Sequence, residues 1–346
     1  GRAARRAAAA DGRGLSVAAA AVAALARALT YSAPMNPPSN PSALPYVPLR
    51  PGHTLRVPVR GLDYHVTAWA GDDEAADAPP LVLLHGWMDV GASFQFVVDA
   101  LAEAGLGARP VYAPDWRGFG GTQAAGSDSY HFTDYLGDLD ALLDALAPGA
   151  AVDLVGHSMG GNVAMLYAGV RPQRVRRLVN LEGFGMPATR AAQAPRRLAQ
   201  WLDELKAPQA LRPYDDLAAV AARLQANNPL LSADKAAWLA PHWAGRGADG
   251  RWHLRADPAH KRVSPVLYRV DEALEVWRRI EAPLLWVDGD LTDTTRWWGQ
   301  RYPREEFDAR LAVVPRVERH RLSPCGHMLH HDQPLALARR LADFLA

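Results

Sequence analysis

One nine-residue stretch limits what this chain can fold into: Asp153-Leu154-Val155-Gly156-His157-Ser158-Met159-Gly160-Gly161. An apolar, strand-like run, 150–155, leads into it, and a helix-like run, 162–168, leaves it. A serine in Gly-x-Ser-x-Gly between a strand and a helix has the form of a nucleophile elbow. The glycines are steric requirements. A Cβ at Gly156 or Gly160 is expected to collide with the neighbouring strand and helix. Such a turn lifts the Ser158 hydroxyl above a sheet, at the positive end of the following helix. There the Met159 N–H is expected to point at a developing oxyanion.

The flanking sequence predicts the sheet that such an elbow needs. Residues 53–59 and 62–69 alternate like two strands around a turn at Gly61. From residue 81 to residue 181 strands and helices alternate. Strands are predicted at 81–84, 109–113, 150–155 and 175–181, and helices at 93–104, 132–146 and 162–168. Continuous apolar strands joined by helices imply a mostly parallel sheet with helices on both faces. Ligands in such sheets bind at the carboxyl ends of the strands. His85, Asp115, Ser158 and Glu182 all follow strands, so they are expected at one edge. A strand at 284–287, a helix over 294–310, a last strand within 313–322 and a helix at 334–345 complete the pattern.

Residues 184–280 break the rhythm. They are rich in Arg and Trp, helical in pattern and interrupted by seven prolines from Pro195 to Pro265. The domain reading is therefore a disordered leader and Pro-rich arm at 1–50, a core at 51–183 and 281–346, and a helical cap inserted at 184–280. Hinges are expected at Gly183-Phe184-Gly185 and Glu281-Ala282-Pro283.

Composition narrows the partners. The 346 residues carry a net charge of +1, which gives no electrostatic case for nucleic acid. The single cysteine, Cys325, cannot form an internal disulfide or a cysteine-based zinc site. The first thirty residues are Ala/Arg-rich and the apolar run in them is short for a membrane span, so no stable membrane insertion is expected. Met35 opens an alternative start. The expected location is the cytoplasm, with export by an N-terminal signal as the alternative.

A serine nucleophile needs a base, and the base needs an orienting acid. In this architecture the chain order is Ser, acid, His. The sequence offers Leu284-Leu285-Trp286-Val287-Asp288-Gly289-Asp290-Leu291-Thr292-Asp293, a strand running into an acidic loop, and then Pro324-Cys325-Gly326-His327-Met328. With these in place the chain, from about His53 onward, resembles the α/β-hydrolase superfamily. The match is carried by His85-Gly86-Trp87, by Asp115-Trp116-Arg117-Gly118-Phe119-Gly120, by Gly156-His157-Ser158-Met159-Gly160-Gly161 and by Gly326-His327. Within it, His85-Gly86-Trp87-Met88-Asp89 and Asp115-Trp116-Arg117-Gly118 are similar to the capped, serine-hydrolase-like proteins.

The resemblance implies an α/β-hydrolase fold with Ser158 as nucleophile, His327 as base, and the N–H groups of Met159 and Trp87 as the oxyanion hole. Members often carry Gly-x-x-Asp after the strand that precedes the histidine loop. Here that spacing lands on Thr292, and the Gly-x-x-Ser/Thr-Asp variant selects Asp293 as the acid. Glu182 and Asp290 are the alternatives, since some members carry the acid at the earlier strand end. The implied activity is hydrolysis of an ester-like carbonyl in a small molecule through an acyl-enzyme. Cleavage of a C–C bond or an amide, or acyl transfer, at the same site is the second reading. A non-catalytic binding protein on the same fold is the third.

The remaining motif residues are read structurally. His85 and His157 are expected to hydrogen-bond or pack within their loops, Asp115 and Arg117 to fix their turn, and His330 and His331 to lie on a surface helix start. His242, His253 and His260 are scattered in the cap, where Trp201, Trp238, Trp243 and Trp252 are expected to pack. No histidine pair has a zincin spacing, so neither a metal nor a cofactor is expected.

Overall fold

The computed structural model describes residues 44–71, 78–107 and 109–346. The leader, with the candidate start at Met35, and most of the acidic loop before residue 80 lie outside the described residues.

Eight strands form one sheet: β1 (His53–Val59), β2 (Leu62–Trp69), β3 (Leu81–Leu84), β4 (Val111–Pro114), β5 (Val152–His157), β6 (Val175–Leu181), β9 (Leu284–Gly289) and β10 (Val317–Leu322). Their order is β1-β2-β4-β3-β5-β6-β9-β10. The β1–β2 hairpin joins antiparallel at one side, through β2 against β4, and the remaining neighbours are parallel. β3 and β5 are buried at every residue, as strands covered on both faces must be.

One face is covered by helices α1 (Gln95–Glu103) and α11 (Pro334–Leu345), which pack together through Val97, Val98, Leu101, Leu337 and Leu341. The other is covered by α2 (Phe132–Leu146) and α3 (Met159–Val170), with Leu139, Leu143, Val163 and Met165 in the core. The predicted helix over 294–310 divides into α8 (Thr295–Trp298) and α9 (Arg304–Leu311), because Gly299 takes a φ of 55° and Pro303 precedes the second piece.

Between β6 and β9 lie α4 (Ala194–Lys206), α5 (Leu217–Asn227), α6 (Ala233–Trp243) and α7 (Val270–Trp277). The insertion is not helical throughout. A hairpin of β7 (Ala244–Arg246) and β8 (Trp252–Leu254) follows α6, and α7 packs on α3 beside the sheet. α5 and α6 form a separate apolar cluster through Val220, Leu224, Leu239 and Ala240, which also takes in Val90, Ala92 and Phe96 from the segment after β3. A second attachment uses backbone alone: Gly120 N–H donates to Arg255 C=O at 2.7 Å, and Asp257 N–H to Gly118 C=O at 2.8 Å. The insertion thus sits against the loops that leave β3 and β4, over the carboxyl edge of the sheet. Among the described residues no helix is long and apolar enough to cross a membrane.

Candidate active site

The elbow is built as its glycines require. Ser158 has φ 51° and ψ −113°, a conformation that L residues rarely adopt. It is held by Ser158 N–H to Leu181 C=O at 2.8 Å and by Asn162 N–H to Ser158 C=O at 3.0 Å. A Cβ on Gly156 would lie 2.4 Å from the Gly160 oxygen, and one on Gly160 would lie 2.2 Å from the Leu84 oxygen. Met159 opens α3, so its N–H belongs to the first turn, where backbone donors lack helical acceptors.

The loop after β3 lies directly against this turn. A Cβ on Gly86 would come within 3.2 Å of the Ser158 Cβ. His85 fixes that loop from beneath. Its Nε2 accepts the Trp116 N–H at 2.9 Å, which leaves Nδ1–H to donate to Gly86 C=O at 2.7 Å. Asp115 braces the same region by accepting from Gly91 N–H and Gly121 N–H, both at 2.7 Å. Arg117 is paired with the buried Asp138. The structural readings of His85, Asp115 and Arg117 agree with these contacts.

The carboxylate that meets His327 is Glu182. Its Oε2 lies 2.6 Å from His327 Nδ1. Gly289 N–H donates to Oε1 at 2.8 Å and the Thr292 hydroxyl donates to Oε2 at 3.0 Å. Glu182 has a φ of 55° just after β6, in a tight turn fixed by Asn180, whose Oδ1 accepts Gly183 N–H at 2.7 Å. Asp293, the first-ranked acid in the sequence, is turned elsewhere. It accepts from Thr295 N–H at 2.9 Å and faces Arg296, as an N-terminal brace for α8. Asp290 accepts from Cys325 N–H at 2.9 Å and from the Ser323 hydroxyl at 2.5 Å, shaping the loop that leads to His327. The reason for the exchange lies at Thr292, which stands where Gly-x-x-Asp would place the acid. It supplies a hydroxyl donor to a carboxylate arriving from the neighbouring strand.

Burial governs the protonation of this pair. Excluding water pushes the Glu182 carboxyl up, to about 8, against the pull of the Gly289 N–H and the Thr292 hydroxyl. The same desolvation pushes His327 down, to about 4. Two groups 2.6 Å apart titrate as a unit, so the two shifts belong to the pair and not to either residue alone.

Two neighbours of His327 were not singled out as such by the sequence. His157 Nε2–H donates to His327 C=O at 2.8 Å, which ties the His327 loop to the elbow. Trp297 packs edge-on against the His327 ring, with centroids 4.6 Å apart. Neither has a sequence signal beyond its proximity to a motif.

His330 and His331 depart furthest from expectation. They lie on the short helix α10 (Leu329–Asp332), not on a surface, and are 0% and 3% exposed. The turn after His327 folds inward against Phe94 and Phe96 of the segment after β3, with ring centroids 4.8 Å and 5.6 Å away. His260 is also buried, stacked between Phe119 and Tyr130 at 3.8 Å and 3.7 Å. Trp238, Trp243 and Trp252 pack into the cluster around α5 and α6, and Trp201 donates to Ser129 Oγ.

A sequence model of the α/β-hydrolase fold family matches residues 79–334. A serine hydrolase-like protein of Dictyostelium discoideum is 24% identical over 303 residues, covering 82% of this chain and 79% of the relative. A serine hydrolase-like protein of Danio rerio is 25% identical over 291 residues, covering 77% and 81%. Among solved structures, the thioesterase domain from the curacin biosynthetic pathway superposes with a TM-score of 0.72 at 24% identity, over 84% of this chain and 99% of that domain. The strand order, the strained serine between β5 and α3, and the match over residues 79–334 agree: the chain belongs to the α/β-hydrolase fold family.

Proposed function

We propose that the protein is a serine hydrolase acting on an ester-like carbonyl of a small molecule, with Ser158, His327 and Glu182 as its triad. The observation that carries the reading is the contact between the buried Glu182 and His327 Nδ1 at 2.6 Å, on the edge that also presents Ser158. A carboxylate on Nδ1 leaves Nε2 free to take a proton and steadies the imidazolium that results. In this mechanism the Ser158 hydroxyl gives its proton to His327 Nε2 as its oxygen attacks the carbonyl. The oxyanion is met by the N–H groups of Met159 and Trp87. His327 then protonates the leaving group as the acyl-enzyme forms, and water repeats the sequence to release the acid. A serine at the elbow fits acyl chemistry, and the serine hydrolase-like names of the two relatives support the same class.

The test is intact mass after treatment with a fluorophosphonate. The wild type is expected to gain one adduct at Ser158. Ser158→Ala should gain none, and His327→Ala and Glu182→Gln should label slowly. A wild type that resists both a bulky and a small fluorophosphonate overturns the reading. A panel of esters, β-diketones and amides then separates ester hydrolysis from C–C or amide cleavage.

A further inference from the structure

Beside the proposed triad lies a cluster that the mechanism does not use. Asp89 follows the loop after β3, and His330 and His331 sit on α10, so residues about 240 positions apart converge. One donor atom from each of the three lies within 4.8 Å of the others, and all three residues are buried. His330 Nε2 is 3.4 Å from Asp89 Oδ2. The other contacts of the cluster are Trp243 Nε1–H to Asp89 Oδ1 at 2.9 Å, Ser93 Oγ–H to Asp89 Oδ2 at 2.8 Å, and Ser93 Oγ to His330 Nε2 at 3.3 Å. Among the described residues neither ring nitrogen of His331 has a hydrogen-bond partner, nor has Nδ1 of His330.

A buried polar nitrogen without a partner is costly, because it has lost its water and gained nothing in return. His331 carries two such atoms at 3% exposure. We propose that Asp89, His330 and His331 form a binding site for a divalent transition-metal ion. Two imidazoles and one carboxylate, with no thiolate, suit borderline ions such as zinc or cobalt, whereas calcium and magnesium want oxygen ligands. The spacing is close to what the ion needs. Ligands at tetrahedral zinc stand roughly 3.3 Å apart, given metal–ligand bonds near 2.0–2.1 Å, and His330 Nε2 and Asp89 Oδ2 are already 3.4 Å apart. Ligation by His331 would break no hydrogen bond, since its ring makes none among the described residues. The Ser93 hydroxyl or a water would take the fourth position.

The ion would act as a clamp. Asp89 stands two residues beyond Trp87, and His330 three residues beyond His327. Bridging them ties the segment after β3 to the segment after β10. That the clamp joins the oxyanion loop to the base loop rests on the roles proposed above; the binding site itself does not.

The experiment titrates cobalt(II) into the untagged, metal-free full chain, reading the visible d–d absorption and the thermal midpoint. The wild type should saturate at one equivalent and its midpoint should rise with cobalt concentration. Asp89→Asn and His331→Gln, each verified as folded by circular dichroism, should bind at least about tenfold more weakly. No saturable band in the wild type, or equal affinity in both variants, overturns the site. Fluorophosphonate labelling is measured separately. A protein that binds cobalt but does not label defeats the hydrolase reading alone, and one that labels but does not bind cobalt defeats the metal site alone.

Discussion

Glu182 Oε2 and His327 Nδ1 are 2.6 Å apart, and the same carboxylate also accepts from Gly289 N–H and the Thr292 hydroxyl. The proposed triad acid therefore comes from the end of β6, one strand closer to Ser158 than the loop after β9. Each of its donors is fixed by the backbone or by a short side chain, so the imidazole it orients has little freedom.

Replacing that carboxylate tests the assignment directly. Glu182→Gln should lower kcat by about 10³–10⁴-fold, by analogy with the loss of the orienting acid in other triads. Asp293→Asn should leave kcat within about twofold, since Asp293 only braces α8. Steady-state kinetics on any turned-over ester reads both. The reverse ranking would return the acid to the loop after β9.

The pH profile should shift with the same substitution. The Glu182 anion stabilises the His327 imidazolium and so raises the pH at which the base becomes free, while burial alone pushes His327 down to about 4. The acid limb of kcat/KM should therefore fall to lower pH in Glu182→Gln, although the plateau is lower. An unmoved limb in the residual activity would mean that the carboxylate does not set the titration of the base.

Stability should fall as the solution is acidified. His85, His157, His330 and His331 are buried, and desolvation holds each below the ordinary value of 6.5, His157 at about 3. Below pH 6.5 the unfolded chain binds protons that the native fold refuses, so unfolding becomes easier as pH drops. The slope can approach about 1.4 kcal/mol per pH unit for each such histidine. Urea midpoints at pH 7.5, 6.5 and 5.5 would show the loss beginning near pH 6.5. A flat profile would mean these rings are solvated or charged in the native state.

The elbow glycines should be intolerant. Gly160→Ala puts a methyl 2.2 Å from the Leu84 carbonyl oxygen, a backbone atom that cannot rotate away. A cost of about 2 kcal/mol or more is expected from overpacking, read as a lower urea midpoint at unchanged m-value, together with slower labelling of Ser158. An unaffected midpoint would show that β3 and α3 are less closely pressed than their backbones indicate.

Much of this was legible in the chain. The extents of α2 and α11 and the bounds of β1, β2, β3 and β6 follow from apolar periodicity, because each buries a continuous stripe or face. Ser158 and His327 stand out because their turns demand glycine. The acid did not, since its choice depends on which of two adjacent strand ends reaches His327 Nδ1, and that is a matter of tertiary register. The burial of His330 and His331 was hidden for a similar reason. Two polar residues at a helix start read as solvent-facing until the segment after β3, 240 residues away, is placed against them. The hairpin of β7 and β8 was missed because strands of three residues leave no periodicity to read.

The two backbone hydrogen bonds between 118–120 and 255–257 divide the insertion into unequal halves. From Arg255 through α7 it is stitched to the loop after β4 and packed on α3, so this part forms a fixed wall. α4 has no buried residue and exposes Leu198 and Leu202. Its hold on that wall is polar: Arg197 Nη1–H donates to Ser264 C=O at 3.0 Å, and Glu204 Oε2 accepts the Val263 N–H at 2.6 Å. The two parts of the insertion are thus held by different forces, backbone pairing and ring stacking at Phe119 and His260 on one side and side-chain hydrogen bonds along α4 on the other.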